Sequence, residues 1–179
     1  MPNGATDNEY LNAGSEEQEE KSELWNAAFH GRTEKVKRLL EYRADIEEKN
    51  WEDNATALHG AAERGKKEIV QLLLDKGSNI DATQVHGYTP LSLASKRGHM
   101  AVVQLLLDNG AGIFARTSSG QTPEDLASSH GQGEVAALLS ARRGAQHGAF
   151  AMGQHARLGA RSLVLGLDTG VVRMILEQM

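Results

Sequence analysis

The sequence contains no cysteine. That excludes a disulfide-stapled scaffold, cysteine-ligated zinc or iron–sulfur sites, and a thiol nucleophile. It also fits a reducing compartment. Aromatic residues are scarce at 4%: two Trp, three Tyr and three Phe. A core with so few rings must be built from Leu, Ile, Val and Ala. No apolar run approaches the roughly 18 residues of a membrane span, so no transmembrane segment is expected. The start, Met1 to Asp7, has neither a basic region nor an apolar stretch, so no secretory signal is expected. The expected location is cytoplasmic, with the nucleus left open and secretion excluded. A net charge of −5 argues against general nucleic-acid binding. A length of 179 residues allows one domain, or one domain with tails.

The charge is unevenly distributed. Residues 1–23 carry one lysine against seven acids, including Glu16-Glu17-Gln18-Glu19-Glu20. This stretch has no apolar period and reads as a disordered, solvating arm or as an acidic lure for a basic partner. Residues 141–179 carry five arginines and two acids.

Between these ends the sequence repeats. Thr56-Ala57-Leu58-His59-Gly60-Ala61-Ala62 recurs as Thr89-Pro90-Leu91-Ser92-Leu93-Ala94-Ser95 and as Thr122-Pro123-Glu124-Asp125-Leu126-Ala127-Ser128. The step is 33 residues both times. Each copy is followed by a glycine (Gly65, Gly98, Gly131) and then by an apolar run, as in Ile69 to Leu74 and Val102 to Leu107. An earlier copy, Leu24-Ala27-Ala28-Gly31-Val36-Leu39-Leu40, lies 34 residues before its counterpart. The additional residue is expected in the loop Lys49–Ala55.

Each unit has a physical rationale. Threonine caps a helix N-terminus, and proline suits the first helical position because it has no N–H there to satisfy. The helix that follows is rich in small residues, so a neighbour can approach closely. A left-handed glycine ends it. The second helix places Val70, Leu73 and Leu74 on one face, and Gly77 or Gly110 ends it. An extended stretch (Ser78 to Asp81, Ala111 to Phe114) then leads to a polar turn. The predicted unit is helix–loop–helix–hairpin. One unit cannot bury its own apolar faces, whereas stacked units share a continuous core.

The pattern resembles the ankyrin repeat over roughly residues 21–142. Unit 3 is the nearest copy, with Gly87-Tyr88-Thr89-Pro90-Leu91, Gly98-His99, Val103, Leu106-Leu107 and Gly110-Ala111. Departures fall near the array ends, where repeats are often atypical. Asn54 stands where the family has glycine, unit 1 lacks Thr-Pro, and Glu124-Asp125 replaces Leu-His. The resemblance implies an all-α solenoid with no chemistry of its own and a concave face of hairpin tips and inner helices that holds protein partners. It also implies that His59 and His99 join units through backbone hydrogen bonds rather than acting as bases or ligands.

The residues left free by the pattern are the partner-binding candidates. They are Trp51, Asp53, His86, Tyr88, Ser119 and Gln121 by the tips, and Phe29, Glu63, Arg64, Lys96, Arg97 and His130 at the ends of the first helices. Aromatic and arginine side chains are enriched at interface hot spots. Phe29 and Trp51 have a competing role, packing against the irregular first unit.

Other signals are set aside. Asp168-Thr169-Gly170 looks like an aspartic-protease loop, but that chemistry needs a second carboxylate and a β domain. His130, His147 and His155 lack metal-site spacing. No phosphate-binding loop, dinucleotide fingerprint or serine elbow occurs. The expectation is therefore four units, at about 21–49, 50–82, 83–115 and 116–142. An acidic arm at 1–20 precedes them, and a Gly/Arg-rich linker with an apolar segment at 143–179 follows. That apolar segment could cover unit 4, bind a partner, self-associate, or represent an alternative coding end. The expected function is non-enzymatic protein binding by a monomer, as scaffold, adaptor or inhibitor, with no cofactor and no metal. The alternatives are a substrate-recruiting part of an enzyme assembly and a structural protein that self-associates through the tail.

Overall fold

The computed structural model describes residues 23–144. The acidic run Glu16–Glu20, the linker and apolar segment after residue 144, and the Asp168-Thr169-Gly170 motif lie outside the described residues.

Helices follow in pairs: α1 (Glu23–Phe29) and α2 (Thr33–Glu41), α3 (Ala57–Glu63) and α4 (Lys67–Asp75), α5 (Pro90–Arg97) and α6 (Met100–Asp108). Helix α7 (Pro123–Ser129) is followed by α8, which starts at residue 133 and reaches the last described residue, 144. The described residues contain no strand. The first helices of the pairs pack one on the next (α1 on α3, α3 on α5, α5 on α7), and the second helices α2, α4 and α6 form a parallel row. Each unit thus contributes an inner and an outer helix.

The stack is close because the inner helices present alanine at their contacts. Ala27, Ala28, Ala61, Ala62, Ala94 and Ala127 are all buried, beside Leu24, Leu58 and Leu91. The outer helices add Val36, Val70, Leu73, Val103 and Leu106 to the same continuous core. Full burial of one such leucine is worth about 1.5–3 kcal/mol. The core is aliphatic throughout, as the shortage of rings requires.

The helix starts follow the sequence reading. The Thr89 hydroxyl accepts from the Ser92 N–H at 3.2 Å. In unit 4, Asp125 completes a reciprocal cap. Its Oδ2 accepts from the Thr122 N–H at 2.9 Å, while the Thr122 hydroxyl accepts from the Asp125 N–H at 3.2 Å. The stretch expected to be extended differs in part: the Ala82 N–H donates to the Asn79 carbonyl at 3.2 Å, closing a turn. The Asn79 side chain drives this by accepting from the Asp81 N–H at 3.1 Å.

Two histidines join units 2 and 3. His59 is fully buried. Its Nδ1 accepts from the Thr56 N–H at 3.2 Å and lies 2.9 Å from the Thr56 hydroxyl. Its Nε2 therefore carries the proton and donates to the Tyr88 carbonyl at 3.2 Å. His99 Nε2 donates the other way, to the Glu63 carbonyl at 2.9 Å. The residues in the His59 position of the next units, Ser92 and Asp125, bond to the threonines of their own caps.

Burial holds His59 below its ordinary pKa of 6.5, outweighing the hydrogen bonds to backbone that pull it upward. The folded ring therefore stays neutral where the unfolded ring gains a proton. Its contribution to stability is complete above about pH 6.5 and is lost as pH falls toward the depressed folded value. Urea unfolding should show a lower midpoint at about pH 5.5 than at about pH 7.5. His59→Gln, though less stable overall, should flatten that difference. An undiminished slope in the variant would assign it to other groups.

Candidate functional site

The hairpin tips form one row. The Gln84 N–H donates to the Tyr88 carbonyl at 3.1 Å, and the Thr117 N–H donates to the Gln121 carbonyl at 3.0 Å. In unit 2 the matching bond runs from the Asn50 N–H to the Ala55 carbonyl at 2.9 Å, so this tip holds one residue more. Asn50 is buried, and its Oδ1 accepts from the Ala55 N–H at 2.9 Å, which braces the longer loop. Asn54 takes the left-handed backbone (φ 58°) that Gly87 and Gly120 take in the other tips. Adjacent tips are tied together by backbone: the Val85 N–H donates to the Asp53 carbonyl at 2.7 Å, and the Ser118 N–H to the His86 carbonyl at 2.8 Å.

On this braced row Trp51 is 79% exposed. It does not pack against the first unit. His86 is also exposed, with positive φ (71°), and Tyr88 is half-buried. The Asp53 carboxylate accepts from the Ala55 N–H at 3.2 Å, which gives it a part in shaping the tip. Ser119 is exposed and hydrogen-bonds to Thr117 and Gln121.

The C-terminal ends of the inner helices carry the second group. Phe29 stacks on Trp25 with ring centroids 4.8 Å apart, and the Arg64 guanidinium lies 4.1 Å from the Phe29 centroid. This is the packing role left open for Phe29. It depends on Gly60, where an added Cβ would meet Trp25 at 3.1 Å and Phe29 at 3.3 Å. Lys96 Nζ is 5.2 Å from the Tyr88 centroid. Arg97 reaches back across the unit boundary to Glu63, with Nε at 3.2 Å and Nη2 at 2.5 Å from Oε1. His130 is exposed, and its Nδ1 bonds to the Leu126 carbonyl at 2.9 Å.

The structure therefore divides the candidates into two sets. Trp51, His86 and Ser119 stand on the tips. Phe29, Glu63, Arg64, Lys96 and Arg97 form a chain of cation–ring and ion pairs between units 1, 2 and 3, with the Tyr88 ring under Lys96. Trp25 was not singled out from sequence. Its signal was the missing Thr-Pro start of unit 1, which leaves a ring where other units have a smaller residue. Two further exposed rings, Tyr42 (84%) and Phe114 (53%), stand away from the tips, at the end of α2 and after α6.

Among the described residues no group of His, Asp and Glu could hold a metal. No helix there is long and apolar enough to cross a membrane.

Stacked helix pairs with tied hairpin tips define a repeat solenoid, and comparison with known proteins assigns the kind. A model described as ankyrin repeats (3 copies) matches residues 7–84. A second, ankyrin repeats (many copies), matches residues 75–127. The chain belongs to the ankyrin repeat family, whose members are protein–protein interaction modules. Among curated proteins, "Ankyrin repeat and SOCS box protein 11" of Homo sapiens is 36% identical over 70 residues. The protein of the same name from Pongo abelii matches equally. The match covers 39% of this chain and 21% of those proteins, so the chain spans about a fifth of their length.

Proposed function

We propose that the array binds a protein partner through its hairpin tips and inner-helix ends. In this reading it is a non-enzymatic scaffold, adaptor or inhibitor, acting as a monomer. The principal contacts are Trp51, Tyr88, Arg64, Lys96 and Arg97. The observation that carries the proposal is the exposed Trp51 ring on a backbone-braced tip. An indole held in water by a rigid loop is a preorganised anchor, costing little ordering on association. Cations laid over Phe29 and Tyr88 are likewise held in place before any partner arrives.

A photoreactive residue placed at position 51 or 86 tests the surface in cells. Its control is the same residue at 71 or 104, on the outer helices α4 and α6. The expected result is a covalent adduct with one protein from the tip positions and none from the outer ones. Adducts confined to the outer positions would place the interface on the other side.

A further inference from the structure

The inner-helix row has a charge pattern that tip geometry alone does not explain. Arg64 and Lys96 each lie over an aromatic ring, and neither has a carboxylate partner among the described residues. Arg97, beside Lys96, is paired with Glu63. A cation on a ring keeps its full charge, because the ring offers only a quadrupole. The two cations occupy different repeat positions, since Arg64 corresponds to the paired Arg97 and Lys96 to Glu63, but they stand near the ends of neighbouring inner helices and together offer two charges to carboxylates.

This chain carries carboxylates within reach. Glu16, Glu17, Glu19 and Glu20 directly precede α1, which starts at Glu23. A chain extends at most about 3.3–3.6 Å per residue, so Glu20 lies within about 10 Å of Glu23 and Glu16 within about 25 Å. Helix α1 has 7 residues. At 1.5 Å each it is about 10 Å long, so its Phe29 end is within reach of Glu20 and Glu19. The Arg64 guanidinium sits on that Phe29 ring. Lys96 is on α5, two helix spacings from α1, or about 20 Å at 8–10 Å per packed helix. That is within reach of Glu16 and Glu17. A tether this short gives the acidic run a local concentration in the millimolar range.

The geometry points to the chain's own acidic run, residues 16–20, as an occupant of the Arg64–Lys96 row. Glu19 and Glu20 meet Arg64, and Glu16 and Glu17 meet Lys96. A partner using the same row then competes with the arm, so the arm sets a threshold on partner binding. The placement can be tested with no partner present, so it stands or falls separately from the proposed function.

The absence of native cysteine allows a single nitroxide to be attached to the full chain through Gln18→Cys. Amide signals of residues 64–65 and 96–98 should weaken at least about twofold at low salt, with those at the far end of α4, residues 72–75, weakened less. The weakening should vanish near 1 M salt, where screening acts over about 3 Å. It should vanish equally with Glu16, Glu17, Glu19 and Glu20 all changed to Gln, and with Arg64→Gln/Lys96→Gln. The glutamate changes touch none of the described residues, so they remain decisive if the cation variant folds poorly. Weakening that is absent, that spreads evenly to residues 72–75, or that survives loss of the charges overturns the inference.

Discussion

Gly65→Ala is expected to cost about 3 kcal/mol, while Gly131→Ala should cost only about 1 kcal/mol. Both glycines end an inner helix with positive φ, 67° and 74°. An L-residue in this conformation costs about 1–2 kcal/mol, which is common to the two. The difference lies in what the next unit places over the glycine. A Cβ on Gly65 would meet His99 Nδ1 at 2.7 Å and ring carbons at 2.9 Å. That ring is rigid and is fixed by its bond to the Glu63 carbonyl. Moving it forfeits a hydrogen bond worth about 1 kcal/mol and disturbs the packing around it. Over Gly131 nothing lies within 4 Å among the described residues. Gly31 and Gly98 should fall between, because the atoms over them are the ends of flexible Lys66 and Gln132 side chains. Denaturant unfolding of the four alanine variants gives the order. Equal losses at Gly65 and Gly131 would mean that the contact between units contributes nothing.

The same residues show what could be read from the sequence. The repeat, its helix starts and its glycine ends were legible because each follows from a local requirement: a hydroxyl at a cap, a left-handed turn, an apolar face at helical spacing. The longer loop between Lys49 and Ala55 was legible as one surplus residue in the count. Its consequence was not. Only the Asn50–Ala55 pairing shows that the surplus lengthens the tip that carries Trp51. The direction of each histidine bond was also hidden, since it depends on which carbonyl of a neighbouring unit lies opposite the ring. Phe29 was ambiguous for the same reason: a ring at a helix end faces a partner or a neighbour according to what the next unit supplies, here Arg64 and Gly60. The turn at Asn79–Ala82 was read as extended because the period of the apolar residues is silent about side-chain capping of backbone.

The largest functional effect is expected at two rings. Trp51→Ala removes an exposed indole, so stability should change by no more than about 0.5 kcal/mol. Tyr88→Ala removes a half-buried ring but keeps the backbone carbonyl that His59 uses, so its cost should stay near 1 kcal/mol. Binding should respond differently. Loss of a hot-spot aromatic costs about 2 kcal/mol or more. Two of them lower affinity by a factor of several hundred, at about 1.4 kcal/mol per tenfold. Either ring alone should account for tenfold or more. The lysine over Tyr88 loses its platform in the second variant, so part of that effect arises from a less ordered Lys96.

Calorimetric titration of the protein captured by tip crosslinking into wild type and into Trp51→Ala/Tyr88→Ala tests the central claim most directly, with denaturant unfolding of both as the control for folding. The account predicts affinity reduced at least about a hundredfold with the fold retained. Unchanged affinity in a folded double variant would contradict it and move the interface off the hairpin tips.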